Sequence, residues 1–84
     1  MNEKTLRALI DAGAIKRVRV IANGARFHVE ADTPNETHVA QTLKGQARTW
    51  GSLDSTAKWL RSLGIGTAQF DVSRWQPGQR GLKV

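Results

Sequence analysis

Histidines and carboxylates are the first side chains in this sequence to test for acid–base or metal chemistry. The two histidines, His28 and His38, lie in one short stretch with Glu30 and Glu36. Two histidines without cysteine or an HExxH-type spacing make a weak zinc signal. A surface His28 paired across a hairpin with Arg19 explains that residue better. We therefore predict no metal site and no cofactor.

Nucleophilic and phosphate-binding motifs are the next features to test. No serine lies in a nucleophile elbow, and no stretch has the phosphate-cradling pattern GxxxxGK[ST]. The segment GIGTAQ, residues 64–69, precedes a predicted strand, whereas phosphate binding of this kind needs a helix N-terminus. The sequence contains no cysteine, so a thiolate nucleophile and a disulfide are both excluded. The prediction is a protein that is not an enzyme.

Arginines are the residues whose number and spacing do favour a function. The 84 residues include 13 Lys and Arg against 7 Asp and Glu, a net charge of +6, and such a surplus favours polyanionic partners. Guanidinium groups at strand spacing can contact phosphates, and a tryptophan beside them can stack on an unpaired base. The residues predicted to bind nucleic acid are Arg17, Arg19, Arg26, His28, Arg48, Trp50, Arg74 and Arg80. Alternate arginines also keep an exposed strand soluble, and that alternative stays open.

A predicted hairpin positions the first four of these residues. Residues 16–22 and 25–31 alternate between apolar and polar side chains around Asn23-Gly24, the strongest short hairpin signal, which predicts a type I′ turn. Pairing outward from this turn places Val20 opposite Phe27 on the apolar face. The arginines and His28 then share the other face.

Weaker patterns predict the remaining elements. Residues 2–12 form a short amphipathic helix with Asn2 as N-cap and Gly13 as C-cap. THVAQTL and QARTW flank Lys44-Gly45 as a second hairpin of uncertain facing, on which the contribution of Arg48 and Trp50 depends. A second helix begins at Ser52 and ends near Gly64. Its predicted inner face consists of Leu53, Ala57, Leu60 and Leu63, with Trp59 at the margin. The last strand, residues 67–72, alternates with its apolar side chains turned inward.

Together these elements predict an α+β fold. It is one small domain, residues 1–75, of order α-β-β-β-β-α-β, with an antiparallel sheet covered by helices on one face and a flexible basic tail, residues 76–84. No apolar run reaches the length of a signal peptide or a membrane span. We therefore expect a cytoplasmic protein with no membrane partner.

A series of short motifs runs through nearly the whole chain. They are Gly13-Ala14, the segment VRVIANGARFHV, Arg48 to Trp50, Leu53-Asp54, Leu60 to Ile65 and Asp71. With these motifs the sequence resembles the ParC-type partition-associated proteins, small proteins of plasmids and integrated mobile elements that are unrelated to the topoisomerase subunit of that name. The resemblance implies an accessory role in the inheritance or maintenance of bacterial mobile DNA, and it implies no catalytic residue.

Two functional hypotheses follow. The leading one is a non-enzymatic accessory protein that binds DNA or another nucleic acid through the basic sheet face, with help from the tail. The alternative is a protein-interaction module, an adaptor or antitoxin-like partner, whose exposed face or free strand edge docks a partition or stability protein. A monomer and a homodimer are both compatible with the sequence.

Overall fold

The computed structural model describes residues 1–76, which form a single small α+β domain, as predicted. Its elements are α1 (Glu3–Asp11), β1 (Arg17–Gly24), β2 (Arg26–Asp32), β3 (Thr37–Val39), α2 (Leu53–Ser62) and β4 (Gln69–Trp75). The strands form one sheet of order β3-β2-β1-β4. Neither helix in this part of the chain is long and apolar enough to cross a membrane.

The sheet is mixed, which corrects the expectation of an antiparallel sheet. β1 pairs with β2 and β2 with β3 in antiparallel fashion, whereas β4 runs parallel to β1. The chain leaves β3 at one edge and returns through α2 to the opposite edge. Such a crossover is the connection that parallel neighbours require.

The predicted fourth strand, QARTW, does not form as a strand. The segment after β3 contributes only isolated bridges, Gln41 with Asn2 and with Ala47, and Trp50 with Phe27. The order is therefore α-β-β-β-α-β. Leu43, in the predicted second hairpin, is fully in solvent. The segment buries Ala40 and Trp50 but has no continuous apolar face, so no regular ladder is selected.

The first hairpin forms on the predicted strands with a register shifted by two residues. Asn23 pairs with Arg26, and Ala22 with Phe27, so the loop is Gly24-Ala25. Gly24 has φ +64° at the loop position where type II′ turns take glycine, which corrects the type I′ expectation. A shift of two keeps every side chain on its predicted face. It also places Arg19 opposite Glu30, a favourable cross-strand charge pair.

Both helices begin at the predicted caps. The Asn2 side chain accepts a hydrogen bond from the Thr5 backbone N–H, and Ser52 accepts one from that of Ser55. The packing face of α2 agrees with the prediction at Leu60 and Leu63, which are buried, but it also includes Thr56 and Trp59. Leu53 and Ala57, predicted to face inward, are instead exposed. The inner face of α2 is thus rotated away from the side nearest β4.

The core lies between the helices and one face of the sheet. Its buried members are Leu6, Val18, Val20, Ala22, Phe27, Val29, Ala31, Ala40, Trp50, Trp59, Leu60 and Leu63. The other sheet face is covered by neither of the two helices in residues 1–76. Of the predicted tail, Gln76 donates its backbone N–H to the Gly24 carbonyl at 2.8 Å and so continues the end of β4. The rest of that prediction, including Arg80, lies outside the described residues.

Candidate interaction surfaces

Asp32 is the centre of an ion-pair network on the open face of the sheet. Its Oδ2 accepts from Arg17 Nε at 3.0 Å, and its Oδ1 accepts from Arg19 Nη2 at 2.8 Å and from the Thr37 hydroxyl at 2.7 Å. These donors, Arg19 foremost, lower the pKa of Asp32 to about 2. The same pair, with Asp32 as the main cause, raises the pKa of Arg19. The carboxylate is therefore charged at any physiological pH.

Glu30 extends the network along β2. Its Oε1 lies 3.1 Å from Arg19 Nη2, and its Oε2 lies 2.9 Å from His28 Nε2. Four residues predicted to share a basic face, Arg17, Arg19, Arg26 and His28, do lie on one face. Two carboxylates nevertheless offset two of these cations, because Glu30 and Asp32 stand opposite Arg19 and Arg17 in the ladder.

Arg26 and Arg74 are the cations of the open face at its hairpin-turn end. Both are register partners of Asn23, one from β2 and one from β4. Arg26 donates to the Thr49 hydroxyl at 2.8 Å, and within residues 1–76 neither arginine forms an ion pair shorter than 4 Å. These two arginines are therefore the open-face cations that no described carboxylate approaches within 4 Å.

Arg48 and Trp50 lie on the opposite, helix-covered side, so they do not extend the basic face. Arg48 contacts Glu3 at 3.3 Å, and its Cζ lies 5.1 Å from the ring centres of both Trp50 and Trp59. The Trp59 indole N–H donates to the same Glu3 oxygen at 3.0 Å, and this bond is the main cause of the lowered pKa of Glu3. With Trp50 only 9% exposed, the cluster joins α1, α2 and the edge beside β2 rather than offering a base-stacking platform.

β4 is the most exposed element, and every one of its residues is solvent-accessible. It lies at the sheet edge, where the backbone N–H and C=O groups facing away from β1 have no pairing strand among residues 1–76. Its large apolar side chains are 45% (Phe70), 44% (Val72) and 41% (Trp75) exposed. The sequence pattern had turned Phe70 and Val72 inward, and its one predicted contact in this strand was Arg74.

A bulge sets the orientation of the β4 side chains. Between its pairings with Ile21 and Asn23 of β1, β4 contains one extra residue, so that Ile21 faces Asp71 and Asn23 faces Arg74. The backbone N–H and the hydroxyl of Ser73 both donate to Asp71 Oδ1, at 2.9 and 2.7 Å. These bonds, the backbone one first, lower the pKa of Asp71 and brace the bulge.

A groove of about 530 Å³ opens on the helix side, next to β4. Leu53, Ala57 and Leu60 of α2 form one wall, and Val20 and Phe70 of the sheet form another. This groove explains why Leu53 and Ala57 are exposed although the helical pattern had placed them in the core. Phe70 lies within reach of Phe27, with the ring centres 6.3 Å apart.

Neither a metal centre nor a related protein defines the site. Among residues 1–76 no group of three or more histidine, cysteine or acidic side chains is placed to hold a metal ion. No protein-family model, no curated protein and no solved structure matches the chain. The geometry of β4 and of the open sheet face is therefore the basis for assigning a function.

Proposed function

We propose that this chain is a non-enzymatic accessory protein of plasmid or mobile-element maintenance, cytoplasmic, which acts by pairing the free edge of β4 with an extended polypeptide strand. The observation that carries the proposal is the exposure of Phe70, Val72 and Trp75 on an edge strand whose outer side is unpaired within the described residues. Strand addition supplies main-chain hydrogen bonds for affinity, and pockets for alternate side chains supply selectivity.

The apolar groove beside β4 is an argument that a partner strand, and not only solvent, covers this edge. Phe70 lines both the groove and the edge, so a strand added to β4 would place its own inward side chains over the groove. The apolar surface of Leu53 would then be buried as well. Clustered exposed apolar side chains of this kind are typical of interaction sites.

Nucleic-acid binding is the second candidate, and the observation that favours it is the pair of arginines at the turn end. Arg26 and Arg74 flank Asn23 on the open face, and the whole chain carries a net charge of +6. The arginines at the other end are engaged by Asp32 and Glu30. A phosphate contact there would have to compete with existing ion pairs, so this candidate ranks below strand pairing.

A retention assay separates the two candidates. Host cells carrying the mobile element that encodes the chain are grown without selection, and the fraction that keeps the element is counted. Val72→Lys places a charge on the edge, which obstructs strand addition, and Leu43→Lys is the matched control in an exposed loop. Arg26→Glu removes a cation of the turn end, which matters only for binding a polyanion.

Strand pairing predicts that Val72→Lys lowers retention to the level of a gene deletion, while the Leu43→Lys and Arg26→Glu variants retain the element like wild type. Loss with Arg26→Glu alone would replace strand pairing by nucleic-acid binding. Full retention in all three variants would overturn both. Circular dichroism of each purified variant checks that the fold is intact.

A further inference from the structure

The sequence of β4 is arranged about its centre, with an aromatic residue at each end and opposite charges at the matching inner positions. The sequence Phe70 to Trp75, FDVSRW, has an aromatic residue at each end, then an acid and a base, then two small or medium residues. In a regular strand Asp71 and Arg74 would point to opposite faces, because side chains alternate. The bulge between them places both on the open face, as their pairing with Ile21 and Asn23 requires.

The same bulge places both aromatic residues on the helix side. Phe70 is the register partner of Val20, and Trp75 that of Gly24. Their rings lie 6.3 and 6.2 Å from the ring of Phe27, a core residue of that face. The edge therefore presents one charge of each sign on one face and one aromatic ring at each end of the other.

From this pattern we infer that the strand paired with β4 is β4 of a second copy of this chain, running antiparallel about a two-fold axis. The inference rests on the strand-edge function proposed above and names its partner. With the axis between Val72 and Ser73, Asp71 lies opposite the partner's Arg74 on the open face, and Phe70 lies opposite the partner's Trp75 on the helix side. Each contact occurs twice, as in any isologous interface.

Charge complementarity is the argument for a second copy over an unrelated strand. Charged side chains and bulges on an edge strand normally obstruct pairing with other chains. Here the order of the two charges matches only a strand that carries them in the reverse direction, and an antiparallel copy does so. Like charges directly opposite each other would be destabilising.

The atoms needed for these contacts are accessible. Ser73 occupies only Oδ1 of Asp71, and Oδ2 accepts no hydrogen bond from any residue in the described range. Arg74 likewise has no ion-pair partner there. On the helix side, the partner's Trp75 would lie beside Phe70 at the mouth of the groove and cover it. The two sheets would join into one of eight strands.

The experiment is sedimentation equilibrium with charge-swap variants, at protein concentrations from about 1 µM to about 1 mM. The wild-type chain is expected to show a concentration-dependent mass that reaches twice the monomer value. R74D alone places two acids opposite each other, and D71R alone places two arginines opposite each other. Each single variant is expected to weaken self-association at least about tenfold, since like-charge juxtaposition at an interface is unfavourable.

Mixing the two variants gives the decisive result. In a one-to-one mixture, both opposing pairs of a mixed dimer combine Arg with Asp, so the twofold mass is expected to return. Arg26→Asp, the same charge change on the same face but away from the edge, is the matched control and should associate like wild type. Because D71R removes the acceptor of the two hydrogen bonds that Ser73 donates, the fold of this variant is checked by circular dichroism. If it fails to fold, R74D compared with Arg26→Asp still decides the point.

Three outcomes would overturn the inference. They are a wild-type chain that is monomeric at every concentration, an R74D variant that associates as well as Arg26→Asp, and a mixture of folded variants that stays monomeric. A monomeric wild type combined with loss of element retention in Val72→Lys would remove the second copy as partner and keep the strand-edge function. Normal retention in Val72→Lys would remove the function itself.

Discussion

Asp71 and Arg74, three residues apart in the sequence, point to the same face of β4. They are register partners of Ile21 and Asn23, which lie on the open face of β1, and one extra residue between them produces this arrangement. The hydrogen bonds from Ser73 to Asp71 hold the extra residue in place. A local irregularity of one residue thus decides which side chains the edge strand presents.

Deleting Ser73 tests this view of the bulge. Because the strand has one residue too many at this point, its removal should leave Arg74 and Trp75 on their present faces. We expect a cooperatively folded variant with a free energy of unfolding close to that of the wild type, because the hydrogen bonds lost to Asp71 are exposed to solvent. Deleting Ile21 from the regular strand β1 should instead turn every following side chain of β1 over and abolish folding. Urea denaturation measures both, and a Ser73 deletion that fails to fold would contradict the assignment.

The ion pairs of Asp32 predict an acid-sensitive fold. Its pKa is lowered from the ordinary 3.8 to about 2 in the folded state, chiefly by Arg19. A carboxylate with a lower pKa in the folded state stabilises the fold above its unfolded pKa, and this stabilisation is lost as the pH falls through the folded value. The free energy of unfolding should therefore decrease between about pH 4 and about pH 2. Asp32→Asn should be less stable at neutral pH and should show a flatter profile in that window, measured by thermal denaturation. Parallel profiles for the two proteins would contradict the prediction.

The cluster around Arg48 predicts a structural role for that residue. Its guanidinium lies over two indole rings and contacts Glu3. Arg48→Ala should lower the free energy of unfolding by about 1–2 kcal/mol, mainly through the lost cation–π contacts and packing, because the half-exposed ion pair adds little. Lys44→Ala, in an exposed loop, is the control and should change stability by less than about 0.5 kcal/mol. Equal effects of the two substitutions in chemical denaturation would argue against the cluster.

Gly24 is expected to be sensitive to substitution because of its backbone conformation alone. Its φ is +64°, and a Cβ there would meet no atom within 4 Å. Gly24→Ala should therefore cost about 1–2 kcal/mol of conformational strain without any steric clash. Gly66 has equally open surroundings and no positive φ, so Gly66→Ala should be neutral or stabilise by up to about 1 kcal/mol. Thermal denaturation of the two variants side by side gives the comparison, and similar melting temperatures would exclude the strain.

Binding of nucleic acid to the open sheet face can be tested directly by measuring the affinity for DNA. If Arg26 and Arg74 bind phosphate, Arg26→Glu should weaken binding to a DNA oligonucleotide several-fold, and the affinity should fall steeply with salt. Arg26 is a better probe than Arg19, because charge reversal at Arg19 would place an acid against Asp32 and Glu30 and destabilise the fold. Fluorescence anisotropy that shows no binding at low ionic strength would eliminate this candidate.

Local sequence signals determined much of this fold. Asn2 and Ser52 cap their helices, and the side chains of the first hairpin lie on their predicted faces, because caps and binary patterns act over a few residues. The resemblance to partition-associated proteins and the nucleic-acid function remain predictions. Five of the proposed contact residues, the four of the first hairpin and Arg74, do share the open sheet face. Arg48 and Trp50 do not, since the segment QARTW had no clear apolar face to orient it.

Only the tertiary structure decided which residues and strands come into contact with each other. The alternation around Asn23-Gly24 placed the arginines outward, and only the folded sheet brought Asp32 and Glu30 against Arg17 and Arg19, because ion pairing depends on the register between strands. The residues of β4, FDVSRW, can likewise be read directly from the sequence. Its place at a free edge, parallel to β1 and with a bulge at its centre, follows from the crossover through α2, a long-range relationship that no local pattern encodes.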